Sequence, residues 1–197
     1  MLRSDAPRLL VVPGLHDSGP AHWQTWLQAL YRDAVRVTQR DWHVPDLDRW
    51  AARVGSTLDR TGHGGPWLVA AHSFGVLAVL RHIASRPDPR LAALLLVAPA
   101  DPDKFGFGEL LPQAELGIPA TLVLSDTDPW LSLAAGQRWA RRWGAPIVNL
   151  GDAGHINAEA GFGPWPYARH WLRTQEQRLA RLHRPARTSP LDWSLAV

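Results

Sequence analysis

Residues 67–75, WLVAAHSFG, carry an unbroken apolar stretch into a histidine, a serine, a phenylalanine and a glycine, and the helix-like VLAVLRHIA of residues 76–84 follows at once. A serine placed where a buried strand turns sharply into a helix is forced into a strained backbone conformation. The residues two before and two after it must then be small, so that strand and helix can approach each other. Ala71 and Gly75 meet that demand, with alanine standing where glycine is commoner. Taken alone, the pentapeptide also fits a plain serine N-cap. What decides between a turn and a raised nucleophile at Ser73 is whether the rest of the chain supplies a base, an acid and a pair of backbone donors.

Further β-rich apolar runs lie at 8–12 (RLLVV), 34–38 (AVRVT), 91–98 (LAALLLVA), 120–125 (ATLVLS) and 146–150 (PIVNL), separated by helix-length stretches. In 46–60, DLDRWAARVGSTLDR, the residues Leu47, Trp50, Val54 and Leu58 share one helix face, with Asp46 as its cap. In 132–144, SLAAGQRWARRWG, Leu133, Trp139 and Trp143 repeat the pattern and Gly144 closes the helix. Strands that alternate with helices and are apolar on both faces belong to a parallel sheet covered on both sides. The expected fold is therefore a single-domain doubly wound α/β sheet of about six parallel strands, in which ligands bind at the strand C-termini.

The chain of 197 residues, 46% hydrophobic and 20% charged, suits one globular domain. No run approaches the roughly 20 apolar residues of a membrane span, and the opening MLRSDAPRLLVVPG turns too early for a signal peptide, so a cytoplasmic location away from membranes is expected. Cysteine is absent, which excludes thiolate catalysis, disulfides and cysteine-ligated zinc. The pI of 10.1 reflects arginine, which supplies all but one of 21 basic residues, while the formal charge is only +3. Arg138, Arg141 and Arg142, and Arg173, Arg178, Arg181, Arg184 and Arg187, read as solvated helix faces rather than a nucleic-acid surface. The domain is expected to span 1–182, with 183–197, HRPARTSPLDWSLAV, crossing the surface as an extended tail held by Trp193.

Four polar loops follow four of the strands: 13–27 (PGLHDSGPAHWQTWL), 72–75 (HSFG), 126–130 (DTDPW) and 151–155 (GDAGH). That is the order in which an α/β-hydrolase carries its oxyanion loop, nucleophile, acid and base. A serine hydroxyl needs a base to remove its proton, and of nine histidines only His155 sits directly after the last strand, in the glycine-flanked turn GDAGHIN. His72 adjoins Ser73 but should point away from its face, as packing or pocket lining. For the acid, Asp128 is preferred because Pro129 ends the strand and sets a turn; Asp126 is the alternative and Asp152 reads as a surface turn residue. The backbone N–H groups of Leu15 and Phe74 are the candidate oxyanion donors, with Gly14 giving the loop room. His16, Asp17 and His22 lack recognised metal-ligand spacing, and neither phosphate-binding glycine pattern is present, so neither metal nor cofactor is expected.

With these residues in view, the chain resembles the small YdeN-like and retinoblastoma-binding-protein-nine-like serine hydrolases of the α/β-hydrolase superfamily. The likeness rests on VVPGLHDSGPAHWQTWL, AHSFG, SDTDPW and GHIN, and its most specific stretch is P-G-L-x-x-S-G-P-x-H-W-Q. The resemblance implies nucleophile, acid and base roles for Ser73, Asp128 and His155. Segment 98–119 is too short for a multi-helix lid, so an open pocket walled by Phe74, Phe105, Phe107 and Trp130, with His16 beside it, is expected to take a small or short-acyl ester. The rival readings are a protein-interaction module on a hydrolase scaffold, and a thioesterase, acyltransferase or peptidase. The sequence names no protein partner.

Overall fold

The computed structural model describes residues 6–61 and 65–182; the expected tail and Trp193 lie outside them. Six parallel strands form one sheet: β1 Arg8–Val12, β2 Val35–Arg36, β3 Trp67–His72, β4 Leu91–Val97, β5 Ala120–Leu124 and β6 Ile147–Asn149, in the order β2-β1-β3-β4-β5-β6. Every neighbouring pair is parallel. The order reverses between β1 and β3, which fixes the binding crevice at the C-terminal ends of those two strands. Two strands differ from expectation. β2 keeps only two residues of AVRVT, and β6, at the sheet edge, exposes Ile147 and Asn149 instead of burying both faces.

The helices divide between the two faces as alternation along the strands requires. Leu10, Val12, Val69, Ala71, Leu94 and Leu96 pack under α2 (Leu47–Arg60), α3 (Phe74–Ser85) and α4 (Leu133–Trp143). Leu9, Val11, Leu68, Ala70, Leu95 and Val97 pack under α1 (Trp23–Ala29) and α5 (Pro166–Leu182). Trp23, Trp50, Trp67 and Trp143 are wholly buried. Each takes about 200 Å² out of water, on the order of 5 kcal/mol of gross apolar burial before chain entropy opposes it. The caps read from sequence are in place: Asp46 accepts from the Arg49 amide at the start of α2, and Gly144 closes α4 at φ 64°. One arginine departs from the solvated face expected of α5, since Arg178 donates to the Ala92 carbonyl at 2.9 Å.

Candidate active site

Ser73 stands between β3 and α3 at φ 54°, ψ −125°, a conformation that costs an L-residue on the order of 1–3 kcal/mol. The strand holds it there, because its amide donates to the Val97 carbonyl at 3.0 Å. Gly75 is required sterically: a Cβ on it would overlap the carbonyl oxygens of Val12 and Pro13, so α3 could not start against the end of β1. Gly14 is as tightly placed, for its Cβ would fall 2.7 Å from that of Ser73 and 3.3 Å from the Phe74 nitrogen. The loop after β1 is thereby pressed against the turn. Neither the Leu15 nor the Phe74 amide donates to another group among the described residues.

His155 Nε2 lies 2.9 Å from Ser73 Oγ, and His155 Nδ1 lies 3.0 Å from each carboxylate oxygen of Asp128. A carboxylate can only accept, so Nδ1 carries the proton and Nε2 is left to accept from the serine hydroxyl. The Asp128 and His155 side chains are only 3% and 10% exposed, which strengthens the pairing over a solvent-exposed one. Asp128 Oδ1 also accepts from the Trp130 amide at 2.9 Å, the turn that Pro129 sets up. The alternative acids are occupied elsewhere: Asp126 accepts from Asn149 Nδ2 at 2.8 Å and Asp152 from Thr127 Oγ1 at 2.7 Å.

Sequence reasoning passed over the residues that hold these loops together. Ser125 donates to the Gly151 carbonyl and accepts from the Ala153 amide, and Thr127 accepts from the Gly154 amide, so the loop of Asp128 is laced to the loop of His155 at 3.0–3.1 Å. The conspicuous stretch after β1 does similar structural work. Buried Gln24 donates to the carbonyls of Val12 (3.1 Å) and Ala70 (2.9 Å), joining β1 to β3 beneath the crevice. Trp23 Nε1 donates to the Ile156 carbonyl at 3.0 Å, next to the base, and His22 caps α1 by accepting from the Gln24 amide at Nδ1. Polar side chains just after a strand, within two or three residues of a candidate, are the signal that would have found Ser125 and Thr127.

The crevice beside Ser73 has a volume of about 450 Å³. Of the residues expected beside it, His16, Phe105 and Trp130 line it, together with Leu15, His22, His72, Ala100 and Glu159. Two expected wall residues do not. The Phe74 ring is wholly buried among Trp50 and Phe105, at centroid distances of 5.0 and 5.3 Å, because its position opens α3 on the core-facing side. Phe107 stacks behind Phe105 at 5.8 Å and joins the same core; in a loop with no period, sequence alone does not say which of two aromatics faces out. The segment between β4 and β5 contains only a 3₁₀ turn, Gly108–Leu110, and no cap helix. His16 meets His43 across the crevice mouth at 2.9 Å between Nδ1 atoms, one donating and the other accepting.

His16, Asp17 and His22 take three separate partners, since Asp17 pairs with Arg36 at 2.6 Å. Among the described residues no group of three or more histidine, aspartate or glutamate side chains is arranged to hold a metal. His22 and His72 are kept neutral. Burial, then the charges of Arg36 and His155, push the His22 pKa down to about 4, with Asp17 opposing. Burial foremost, then His155 and His22, hold His72 well below the ordinary histidine value.

A serine hydrolase family model matches residues 9–175. The chain belongs to the serine hydrolase family. Among solved structures, this serine hydrolase is similar to one described as a YdeN-like hydrolase from Pectobacterium atrosepticum, at 36% identity and TM-score 0.83, over 88% of this chain and 92% of that one. The ydeN gene product of B. subtilis superposes with TM-score 0.71 at 17% identity, over 87% and 99% of the two chains. Est1E from Butyrivibrio proteoclasticus, solved with ferulic acid, gives TM-score 0.66 at 14% identity, over 87% and 90%. The last two share the α/β-hydrolase fold. A search of curated proteins returns no match. Among the described residues no helix is long and apolar enough to cross a membrane.

Proposed function

We propose that this serine hydrolase cleaves small or short-acyl carboxylic esters through an acyl-enzyme, with Ser73 as nucleophile, His155 as base and Asp128 as the acid that orients it. The observation that carries the reading is the unbroken relay from Ser73 Oγ to His155 Nε2 at 2.9 Å and from His155 Nδ1 to Asp128 at 3.0 Å. Ser73 attacks the ester carbonyl as His155 takes its proton, and Asp128 stabilises the imidazolium that forms. The Leu15 and Phe74 amides, pressed together by Gly14 and without other acceptors among the described residues, receive the tetrahedral oxyanion, each worth about 3 kcal/mol in the transition state. His155 returns the proton to the leaving alcohol, then activates the water that frees the acid.

A crevice of about 450 Å³ with Phe105, Leu15 and Trp130 along it favours a short apolar acyl group. On p-nitrophenyl esters the expected outcome is highest kcat/KM at two to four acyl carbons, roughly, and loss of turnover in Ser73→Ala. Turnover that survives Ser73→Ala would overturn the mechanism. A preference for long acyl chains would overturn the substrate class alone.

A further inference from the structure

His72 is the neighbour of Ser73, yet it takes part in no step of the reaction above. Its place in the strand directs its side chain to the other face of the sheet from Ala71, the face that α1 and α5 cover. There its Nε2 lies 2.9 Å from the backbone carbonyl of His155, 83 residues away, and the two rings sit 4.8 Å apart. A carbonyl only accepts, so His72 must carry its proton on Nε2.

His155 needs such a hold. It lies between β6 and α5, in residues 150–165, where no helix or strand fixes the backbone. The flanking residues Gly154 and Ile156 both have positive φ, 52° and 50°. Asp128 and Ser73 hydrogen-bond the ring rather than the backbone that carries it. Side chains from other elements hold that backbone: before it Ser125 and Thr127 accept from the Ala153 and Gly154 amides, after it Trp23 donates to the carbonyl of Ile156, and at the residue itself His72 holds the carbonyl of His155. His72 belongs to β3, which is paired on both sides, by β1 and β4. One dipeptide of the central strand therefore sets the nucleophile through Ser73 and the base's main chain through His72.

We propose that His72 is a positioning residue, whose Nε2–H holds the His155 main chain so that the imidazole stays within reach of the Ser73 hydroxyl. The assignment rests on Ser73 and His155 acting as nucleophile and base. The groups facing His72 suit a neutral donor. His22, from α1, has its ring centroid 4.8 Å away and is itself neutral, and Trp23 lies edge-on at 6.1 Å. His155 is the second titratable neighbour, from the loop after β6. A proton added to His72 would be buried beside these two imidazoles, so the donor keeps one form through neutral pH.

The test pairs His72→Leu, which keeps bulk and removes the donor, with His72→Gln, which returns an N–H donor near the position of Nε2. His72→Leu should lower kcat between about tenfold and a hundredfold with KM changed by less than about twofold, as expected when a reacting group drifts by a fraction of an ångström. His72→Gln should recover most of that loss. Equal losses in both variants, or full activity in His72→Leu, would overturn the role. If His72→Leu fails to fold, ¹⁵N-histidine NMR of the wild type decides: the Nε2–H neutral tautomer of His72 is expected, and the Nδ1–H tautomer would overturn the hydrogen bond. A parallel Ser73→Ala variant separates the two levels. Full activity there removes the mechanism itself, whereas an inactive Ser73→Ala beside a fully active His72→Leu removes only the role of His72.

Discussion

The two ends of the sheet are built on opposite principles. At the C-terminal end lie all the non-glycine residues with positive φ among the described residues: His16 and Asp17 after β1, Ser73 after β3, Ala98 after β4 and Ile156 after β6. Among the described residues the buried donor His22 Nε2 has no partner there, and two histidines are forced neutral. At the N-terminal end, Asp88 is buried between Arg90, at 2.7 Å, and His82, at 3.3 Å, while Arg90 also reaches Asp59 at 2.9 Å. The guanidinium of Arg90 holds the Asp88 carboxyl down at about 2, against the opposing effect of burial. One end holds the strained backbone, while among the described residues buried side-chain atoms without a partner occur at both, His22 Nε2 at the first and Trp67 Nε1 at the second. The other satisfies its charges and anchors α2 and α3 to the sheet.

If this division holds, changes at the first end should remove activity and leave stability nearly intact, and changes at the second should do the reverse. The largest effect is expected for Ser73→Ala, a loss of about six orders of magnitude in kcat with little change in Tm, since no packing is lost. Asp128→Asn should cost about four orders in kcat by favouring the wrong tautomer of His155, whereas Asp126→Asn should stay within about threefold, as steady-state kinetics would record. Next comes Arg90→Ala, which leaves the buried Asp88 carboxylate without its main partner. Chemical denaturation should show a loss of about 3 kcal/mol, with kcat per folded molecule unchanged.

The smallest effect separates the ends by pH. His22 and His72 have lowered pKa values in the folded state, so the unfolded chain takes up protons that the folded chain refuses as pH falls below 6.5. Stability should therefore decline from pH 6.5 down to about 4 on account of His22, and His82, also lowered by burial, adds to the same decline from the other end. Asp88 acts in the same sense but at lower pH: its contribution is complete above 3.8 and is lost as pH falls towards about 2. His22→Asn keeps a cap for α1 but removes one titration, and should narrow the fall in Tm between pH 7 and 4.5 by a few degrees, about 2–4 °C per kcal/mol relieved in a domain of this size.

The comparison also marks what the sequence could disclose. Steric necessity is written locally: Ala71, Ser73 and Gly75 are readable as a strained turn because no bulky residue can replace the glycine against the end of β1. Caps are local too, and Asp46 and Gly144 were legible for that reason. Asp128 is preferred to Asp126 on the local turn that Pro129 sets, whereas the bond that Asp126 accepts from Asn149 Nδ2 is spatial and not legible in the sequence. The hold of His72 on His155 could not be read at all, because its acceptor is a main-chain carbonyl, which every residue possesses. Gln24, Ser125 and Thr127 escaped for the same reason, all of them bonding backbone.

Chemistry is expected to reside in the strained turn after β3. Treating the protein with a fluorophosphonate and mapping the adduct by mass spectrometry tests it most directly. A single stoichiometric modification on Ser73, abolished by Ser73→Ala and slowed by Asp128→Asn, is the predicted result. An adduct on another residue, or labelling undiminished in Ser73→Ala, would contradict it.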